Sequence, residues 1–307
     1  MSNIYIYSPS GAVRDKTALK RGLKRLKSMG HETLLDPAAL SSSTRFAGSD
    51  EERLAAIGRA AASGAHASLI TRGGYGLTRI LPKLPYKAIQ KSIDQGMAWV
   101  GFSDFTALQL AVLARTGGVT WAGPALCDCF GAIEVDDITQ ACFEDLLLAQ
   151  GEGAGWRMGV AGARGLPERK PGLWAKDATL WGGNLCVLCG LLGSPYFPQV
   201  DGGVLFLEDV GEHPYRIERM LSQLLLSGVL QRQKAIVLGQ FTDYRLTPHD
   251  RGFNMQAVVQ WLRSQLKVPV LTDLPFGHVP TRVCLPVGAK VDLWVEGRDV
   301  MLVWGHI

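Results

Sequence analysis

Short apolar runs alternate with amphipathic segments in the first half of the chain, and this alternation restricts the fold more than any other feature of the sequence. Apolar residues that recur every three or four positions predict helices, and short apolar or alternating runs predict strands. The predicted strands are 3–8, 32–35, 67–71, 97–102 and 118–121, and the predicted helices are 16–29, 49–62, 106–115 and 137–149. Strands separated by helices form parallel βαβ units. We therefore expect a doubly wound α/β domain over residues 1–150.

A capping box marks the start of the second predicted helix. The side chain of Ser49 can accept a hydrogen bond from the backbone three residues later, while Glu52 reaches back to the backbone of Ser49. This exchange satisfies two backbone donors that a helix start otherwise leaves without partners. We therefore expect the helix to begin directly after Ser49.

The composition of the chain changes after Gln150. Residues 151–172 are rich in Gly, Arg and Pro, which predicts a linker that we extend to residue 174. Beyond it we predict strands at 173–181, 203–207 and 235–239, helices at 215–226 and 255–266, a turn at 182–184 followed by a short apolar helix, and alternating strands over 283–303. These patterns predict a second α/β domain, rich in strands, over residues 175–307.

Composition and charge exclude several classes of protein. Hydrophobic residues make up 47% of the chain and charged residues 20%, as in ordinary globular proteins. The net charge of +4 comes without a stripe of Lys and Arg interleaved with aromatics, so we expect no nucleic-acid partner. The apolar runs are too short to cross a bilayer, the N-terminus predicts a strand, and the six cysteines show no secreted framework. We therefore expect a cytoplasmic protein with free thiols and no membrane association.

Ser103 lies where a predicted buried strand runs directly into a helix. A tight turn at such a junction exposes a serine hydroxyl, and the backbone N–H groups at the helix start can stabilise an oxyanion. The alternative is that Ser103 or Asp104 caps the helix. This segment alone favours capping, because Phe105 replaces the second glycine of the usual nucleophile motif.

An acidic cluster and two histidines supply candidates for a base and its orienting carboxylate. Glu208, Asp209 and Glu212 follow an apolar strand, where open α/β sheets bind ligands, although such acids also cap helices or occupy surface turns. His278 lies on a loop bounded by Gly and Pro, where a rigid scaffold presents a side chain. His213, next to the acids, is its competitor.

Two further motifs each allow two interpretations. The segment Gly73-Gly-Tyr-Gly76 follows a predicted strand and offers backbone N–H groups to an oxyanion or a carboxylate, but it is also a plain tight turn. It lacks the features of a nucleotide-phosphate loop. Cys186 and Cys189 have the spacing of a redox or zinc pair, yet no second pair follows, which favours core packing.

In combination, seven segments resemble the LD-carboxypeptidase family of serine peptidases, which also includes the microcin-immunity peptidases. Each segment alone is weak, but together they follow one another over nearly the whole chain. They are Arg72-Gly-Gly-Tyr-Gly76, Gly101-Phe-Ser-Asp104, Gly182-Gly-Asn-Leu185, Leu207-Glu-Asp-Val-Gly-Glu212, Tyr215-Arg-Ile-Glu-Arg219, Gly239-Gln-Phe-Thr-Asp243 and Leu274-Pro-Phe-Gly-His278.

The resemblance implies a catalytic triad of Ser103 as nucleophile, His278 as base and Glu208 as the residue that orients the base. It also raises Ser103 above a capping role and demotes His213. For the oxyanion hole we choose the N–H of Asp104, with Gly74 as the second donor.

Three residues in the matching segments are our candidates for substrate contacts: Gly73, Tyr75 and Asn184. The resemblance further implies a flavodoxin-like or glutamine-amidotransferase-like first domain and a homodimer. It implies neither a metal nor another cofactor.

The family activity that the resemblance implies is removal of the terminal D-alanine from an L,D-linked murein tetrapeptide, free or attached to a sugar or nucleotide carrier, during recycling of the cell wall. One alternative is a microcin-immunity-type peptidase that cleaves an acyl-sulfamoyl or aminoacyl nucleotide, with Trp156, Trp174 or Trp181 as a platform for the base. The other alternative is a non-catalytic module that binds peptides or nucleotides.

Overall fold

The computed structural model describes residues 1–166 and 170–306. The chain forms two compact units. Unit 1 comprises Met1–Gly151, Gly193–Pro198 and Pro280–Gly288, and unit 2 comprises Glu152–Leu192, Gln199–Val279 and Ala289–Ile307. Within the described ranges no helix combines the length and the apolar character that a bilayer crossing requires.

Strands and helices follow one another along the chain in both units. The strands are β1 (Asn3–Tyr7), β2 (Glu32–Leu35), β3 (Ala67–Ile70), β4 (Ala98–Gly101), β5 (Thr120–Ala122), β6 (Gly153–Arg157), β7 (Gly172–Asn184), β8 (Val204–Val210), β9 (Ala235–Thr242), β10 (Val270–Leu271), β11 (Leu285–Val287), β12 (Lys290–Glu296) and β13 (Asp299–Val303). The α-helices are α1 (Lys16–Ser28), α2 (Asp50–Ala62), α3 (Leu77–Ile80), α4 (Tyr86–Asp94), α5 (Thr106–Thr116), α6 (Asp137–Leu147), α7 (Val160–Ala163), α8 (Leu185–Leu191), α9 (Pro214–Leu226) and α10 (Met255–Gln265).

The sheet of unit 1 has the strand order β11-β5-β4-β3-β1-β2. Strands β1 to β5 are parallel in the order 2-1-3-4-5, the flavodoxin-like arrangement, and β11 pairs antiparallel with β5. This topology confirms the predicted doubly wound domain. Because the strands are parallel, the segments that follow β3 and β4 lie at the same edge of the sheet, which is where such folds bind ligands.

Local sequence explains where the helices of unit 1 begin. The capping box predicted for α2 is confirmed: the Glu52 N–H donates to Ser49 Oγ at 3.2 Å, and the Ser49 N–H donates to Glu52 Oε2 at 2.7 Å. The Asp15 carboxylate caps α1 by accepting hydrogen bonds from two backbone N–H groups. On the core side, Leu19 and Leu26 of α1 pack in the same apolar cluster as Ile4 of β1.

The sheet of unit 2 has the strand order β10-β9-β8-β7-β12-β13-β6. Strands β7 to β10 are parallel to one another, while β12, β13 and β6 complete the sheet through antiparallel pairs. The register pairs Asn184 of β7 with Glu208 of β8. Two polar side chains therefore lie next to each other at the carboxyl end of the parallel strands.

Three sequence predictions differ from the structure. The segment 151–174, predicted as a linker, contains β6, whose backbone pairs with β13 at the sheet edge, and residues 167–169 of this prediction lie outside the described ranges. The turn predicted at residues 182–184 is wrong, because β7 continues through Gly182 and Gly183 at φ values of 134° and 128°. A Cβ at Gly182 would clash with the Phe206 carbonyl oxygen, so glycine is required there for close strand approach rather than for a turn. Residues 280–288 lie in unit 1, where β11 extends its sheet.

Candidate active site

Ser103 begins a 3₁₀ turn that joins the end of β4 to the start of α5. We call this turn, Ser103–Phe105, the serine turn. The φ of Ser103 is 63°, in the left-handed region that costs a residue with a side chain roughly 1–2 kcal/mol. Phe102 occupies the N-cap position of the serine turn and Phe105 that of α5. A strained serine at a strand-to-helix junction is the geometry of a hydrolase nucleophile.

The side chain of Asp104 anchors the serine turn from inside unit 1. Asp104 is buried, and its Oδ2 accepts hydrogen bonds from Ser10 Oγ at 2.7 Å and from the Leu77 N–H at 3.0 Å. Burial raises the pKa of the Asp104 carboxyl above its ordinary value. The backbone N–H of Asp104, our predicted oxyanion donor, lies at the start of the turn, where donors have no partner within the turn.

Gly73 packs directly against the serine turn. A Cβ built on Gly73 would lie 2.7 Å from Ser103 Cβ, 2.8 Å from Ser103 Oγ and 3.4 Å from the Asp104 nitrogen. Since real Cβ atoms essentially never approach so closely, only glycine fits. The structure thus brings the predicted Gly73 to the predicted nucleophile and oxyanion donor.

The other two predicted residues of this loop lie at its surface. Gly74 is exposed at a φ of 119°, directly after Gly73. Tyr75 is 45% exposed, and its ring centroid lies 5.9 Å from that of Phe46. Both residues are therefore accessible on the loop that contacts Ser103.

In unit 2, His278 is hydrogen-bonded to a buried carboxylate. His278 Nδ1 lies 2.8 Å from Oε2 of Glu208, which lies within β8 and has no exposure to solvent. A carboxylate at this position holds the Nδ1–H tautomer, which leaves Nε2 as the basic nitrogen. Gly277 permits the approach: its φ is 141°, and a Cβ there would lie 2.9 Å from the Gln240 carbonyl oxygen and 3.3 Å from Glu208 Cβ.

Asn184 and Asp209 complete what we call the His278 cluster, consisting of Asn184, Glu208, Asp209 and His278. Asn184 Nδ2 donates to Glu208 Oε1 at 3.2 Å and to Asp209 Oδ1 at 2.9 Å, while its Oδ1 accepts from the Val187 N–H and caps α8. Asn184 is buried and bridges the two carboxylates, and its predicted contact with the substrate stays a prediction.

Asp209 is a site residue that sequence reasoning left without a role. Its Oδ2 accepts from the Cys186 N–H at 2.9 Å. Burial, together with the charge of neighbouring Glu208, raises the pKa of Asp209 to about 6. The two adjacent carboxylates have different partners besides Asn184. Glu208 contacts the imidazole of His278, whereas Asp209 accepts a hydrogen bond from the start of α8. The sequence signal for this role is Asn184, which precedes the apolar helix α8 as its cap and also bonds Asp209.

His213 has a structural role in unit 2. Its Nε2 lies 3.2 Å from the Asp250 carboxylate, and its Nδ1 accepts from the Tyr215 N–H as the cap of α9. Cys186 and Cys189 both lie on α8. Within residues 1–166 and 170–306, no group of three His, Cys, Asp or Glu side chains is arranged to hold a metal ion.

Known proteins match this chain in both of its halves. The family model for the LD-carboxypeptidase N-terminal domain matches residues 4–123, and the model for its C-terminal domain matches residues 177–293. A protein named "Probable murein peptide carboxypeptidase" in Bacillus subtilis is 30% identical over 95% of this chain and 88% of its own length. The crystal structure of muramoyltetrapeptide carboxypeptidase from Oxalobacter formigenes superposes with a TM-score of 0.87 at 37% identity, covering 99% of both chains.

A second group of relatives is named for self-immunity to a microcin. The microcin self-immunity protein of Escherichia coli is 27% identical over 76% of this chain and 72% of its own length. Its structure in complex with aspartyl sulfamoyl adenosine has a TM-score of 0.83 at 24% identity over 98% of this chain and 96% of that one, which shows a shared fold. Both domain models and the full-length relatives lead to one conclusion. The chain belongs to the LD-carboxypeptidase family.

Proposed function

We propose that the protein is a serine LD-carboxypeptidase that removes the terminal D-alanine from an L,D-linked murein tetrapeptide. The observation that carries this proposal is the 2.8 Å hydrogen bond between His278 Nδ1 and Glu208, because it orients an imidazole as a general base. The left-handed Ser103 on the serine turn supports it as the nucleophile.

The proposed reaction follows the chemistry of serine hydrolases. Ser103 Oγ attacks the amide carbonyl while His278 Nε2 accepts the hydroxyl proton and later returns it to the leaving amine. Glu208 stays ionised and stabilises the imidazolium. The N–H groups of Asp104 and Gly74 donate to the oxyanion, and water then releases the acyl group from Ser103.

The segment that follows His278 in the sequence contacts the residue before Ser103 within unit 1. Within unit 1, the Arg282 guanidinium carbon lies 3.8 Å from the ring centroid of Phe102, the residue before Ser103. Arg282 follows His278 by four residues in the sequence.

Burial removes one of the three tryptophans that could serve as a platform for a nucleotide base. Trp181 is fully buried, with Nε1–H donating to Gln233 Oε1 at 2.9 Å, and Trp156 Nε1–H donates to the Thr272 carbonyl at 2.9 Å. Trp181 is thus unable to serve as a platform for a base. The relative of highest quoted identity, the Oxalobacter enzyme, is also named for a muramoyl tetrapeptide rather than a nucleotide.

The test is conversion of murein tetrapeptide to tripeptide, followed by mass spectrometry. We expect Ser103→Ala to reduce turnover by several orders of magnitude without changing the circular dichroism spectrum. The matched control is Ser28→Ala, which removes an exposed hydroxyl bonded only within α1 and should remain fully active. The proposal is refuted if the wild-type protein leaves the tetrapeptide intact, or if Ser103→Ala turns it over normally. An assay with aspartyl sulfamoyl adenosine under the same conditions distinguishes the microcin-immunity alternative.

A further inference from the structure

Three arginines surround the glycine loop that contacts Ser103. Arg72 lies two residues after the end of β3 and is half-buried. Its guanidinium borders both Gly11 and Gly74, and a Cβ built on Gly74 would lie 3.0 Å from it. The Gly11 N–H donates to the Gly73 carbonyl oxygen at 3.2 Å, which holds the two loops together. Arg14 and Arg45 are exposed on the neighbouring segments, where Arg45 lies over the Tyr75 ring.

This arginine group carries uncompensated positive charge. In the described ranges, Arg72, Arg14 and Arg45 have no carboxylate within 4.0 Å, whereas Arg53 and Arg59 of the same unit each form such an ion pair. Burial lowers the pKa of Arg72, as do the charges of Arg14 and Arg45, and Asp128 opposes this effect from beyond ion-pair distance. A partly buried guanidinium among like charges is stabilised by an anion that binds to it.

The position of Arg72 matches the geometry of a carboxypeptidase substrate. Gly73 contacts Ser103 Oγ, and Gly74, one residue further, borders the Arg72 guanidinium. Adjacent Cα atoms are about 3.8 Å apart. In a peptide that loses its last residue, the terminal carboxylate is likewise one residue beyond the carbonyl that the serine attacks. A substrate lying along this loop therefore places its carboxylate towards Arg72.

We propose that Arg72, assisted by Arg14 and Arg45, binds the free α-carboxylate of the residue that the enzyme releases. The inference rests on the proposed function and deepens it, since it explains why the enzyme removes a terminal residue rather than cutting within a peptide. The planar guanidinium can donate two parallel hydrogen bonds to a carboxylate, which a lysine ammonium is unable to do.

The experiment compares murein tetrapeptide with the same peptide ending in a carboxamide. We expect the wild-type protein to prefer the free acid by about 10- to 100-fold in kcat/KM, the range of a charge-assisted hydrogen-bonded pair. Arg72→Gln should lose about this factor on the acid and leave the amide unchanged, and Arg72→Lys should fall between. Arg115→Gln, an exposed arginine at the end of α5, is the matched control and should keep the full preference.

The outcomes separate this inference from the proposed function. If the wild-type protein cleaves neither peptide, the proposed function fails and the inference with it. If the wild-type protein is active but Arg72→Gln weakens both substrates equally, only the inference is overturned. Should Arg72→Gln fail to fold, the double variant of the exposed Arg14→Gln and Arg45→Gln replaces it. A roughly 2- to 10-fold loss confined to the acid supports the inference, and an unchanged preference overturns it.

Discussion

In unit 1, Ser103 is positioned by backbone geometry, whereas in unit 2, His278 is positioned by side-chain hydrogen bonds. The serine turn depends on a left-handed φ and on a glycine whose missing Cβ leaves room for the hydroxyl. The His278 cluster depends on a buried carboxylate and on an asparagine that bonds two acids at once. Steric changes should therefore damage the first region, and changes of charge or of hydrogen-bond partner should damage the second.

The largest expected effect comes from the carboxylate that contacts His278. Glu208→Gln keeps the shape of the side chain but removes the charge that holds the imidazole tautomer, so we expect kcat to fall about 1,000- to 10,000-fold. Asp209→Asn, on the adjacent residue, is the matched comparison and should lower kcat less than about 10-fold. Steady-state kinetics on the tetrapeptide measure both. Equal losses in the two variants would contradict a distinct role for Glu208.

The second effect tests steric control in unit 1. Gly73→Ala places a Cβ 2.7 Å from Ser103 Cβ, so the serine turn must shift, and we expect kcat/KM to fall by about 100-fold. Gly58→Ala, within α2, meets no atom within 4 Å and should raise the free energy of unfolding by about 0.5–1 kcal/mol without changing activity. An active Gly73→Ala enzyme would show that the serine turn tolerates displacement.

The third effect concerns stability in unit 2 and depends on pH. The unfolded chain releases the Asp209 proton near pH 3.8, whereas the folded protein holds it up to about pH 6. The folded state binds more protons than the unfolded chain in this interval. Protonated Asp209 therefore stabilises the fold fully below about pH 4, and this stabilisation, at most about 3 kcal/mol, is lost as the pH rises through 6.

Urea unfolding of the wild-type protein and Asp209→Asn between pH 4 and pH 7 isolates this effect. Asparagine replaces one acceptor oxygen by a donor and lowers stability by a constant amount, which does not alter the pH slope. We expect the free energy of unfolding of the wild-type protein to decline relative to the variant up to about pH 6. Parallel curves would show that Asp209 has an ordinary pKa.

The smallest effect lies outside both regions. Ser49→Ala removes the cap of α2 and should lower the free energy of unfolding by about 1 kcal/mol while activity is retained. Ser49→Asp supplies another acceptor at the same position and should restore most of the loss. Denaturant melts of the three proteins measure the difference, and a loss of activity in Ser49→Ala would link this helix start to the site.

The elements of unit 1 were largely predictable because local patterns specify them. The apolar run before Ser103 and the Ser49 capping box act through neighbours in sequence, so their strand and helix starts follow without the fold. The glycines at 182 and 183 misled the prediction, because a glycine pair usually marks a turn. At Gly182 the cause is non-local, since Phe206 of the adjacent strand leaves no room for a side chain.

Local sequence patterns are enough to predict the doubly wound first half and to make Ser103 a candidate, and the resemblance to serine peptidases adds Glu208 and His278. Only the folded chain shows that His278 bonds Glu208, that Asn184 donates to both carboxylates, and that Arg72 borders Gly74. This difference follows from the distance along the chain over which the interactions act. Helix caps and apolar periodicity act over a few residues, whereas the partner of a buried polar side chain is chosen among residues that meet only when the sheets have formed.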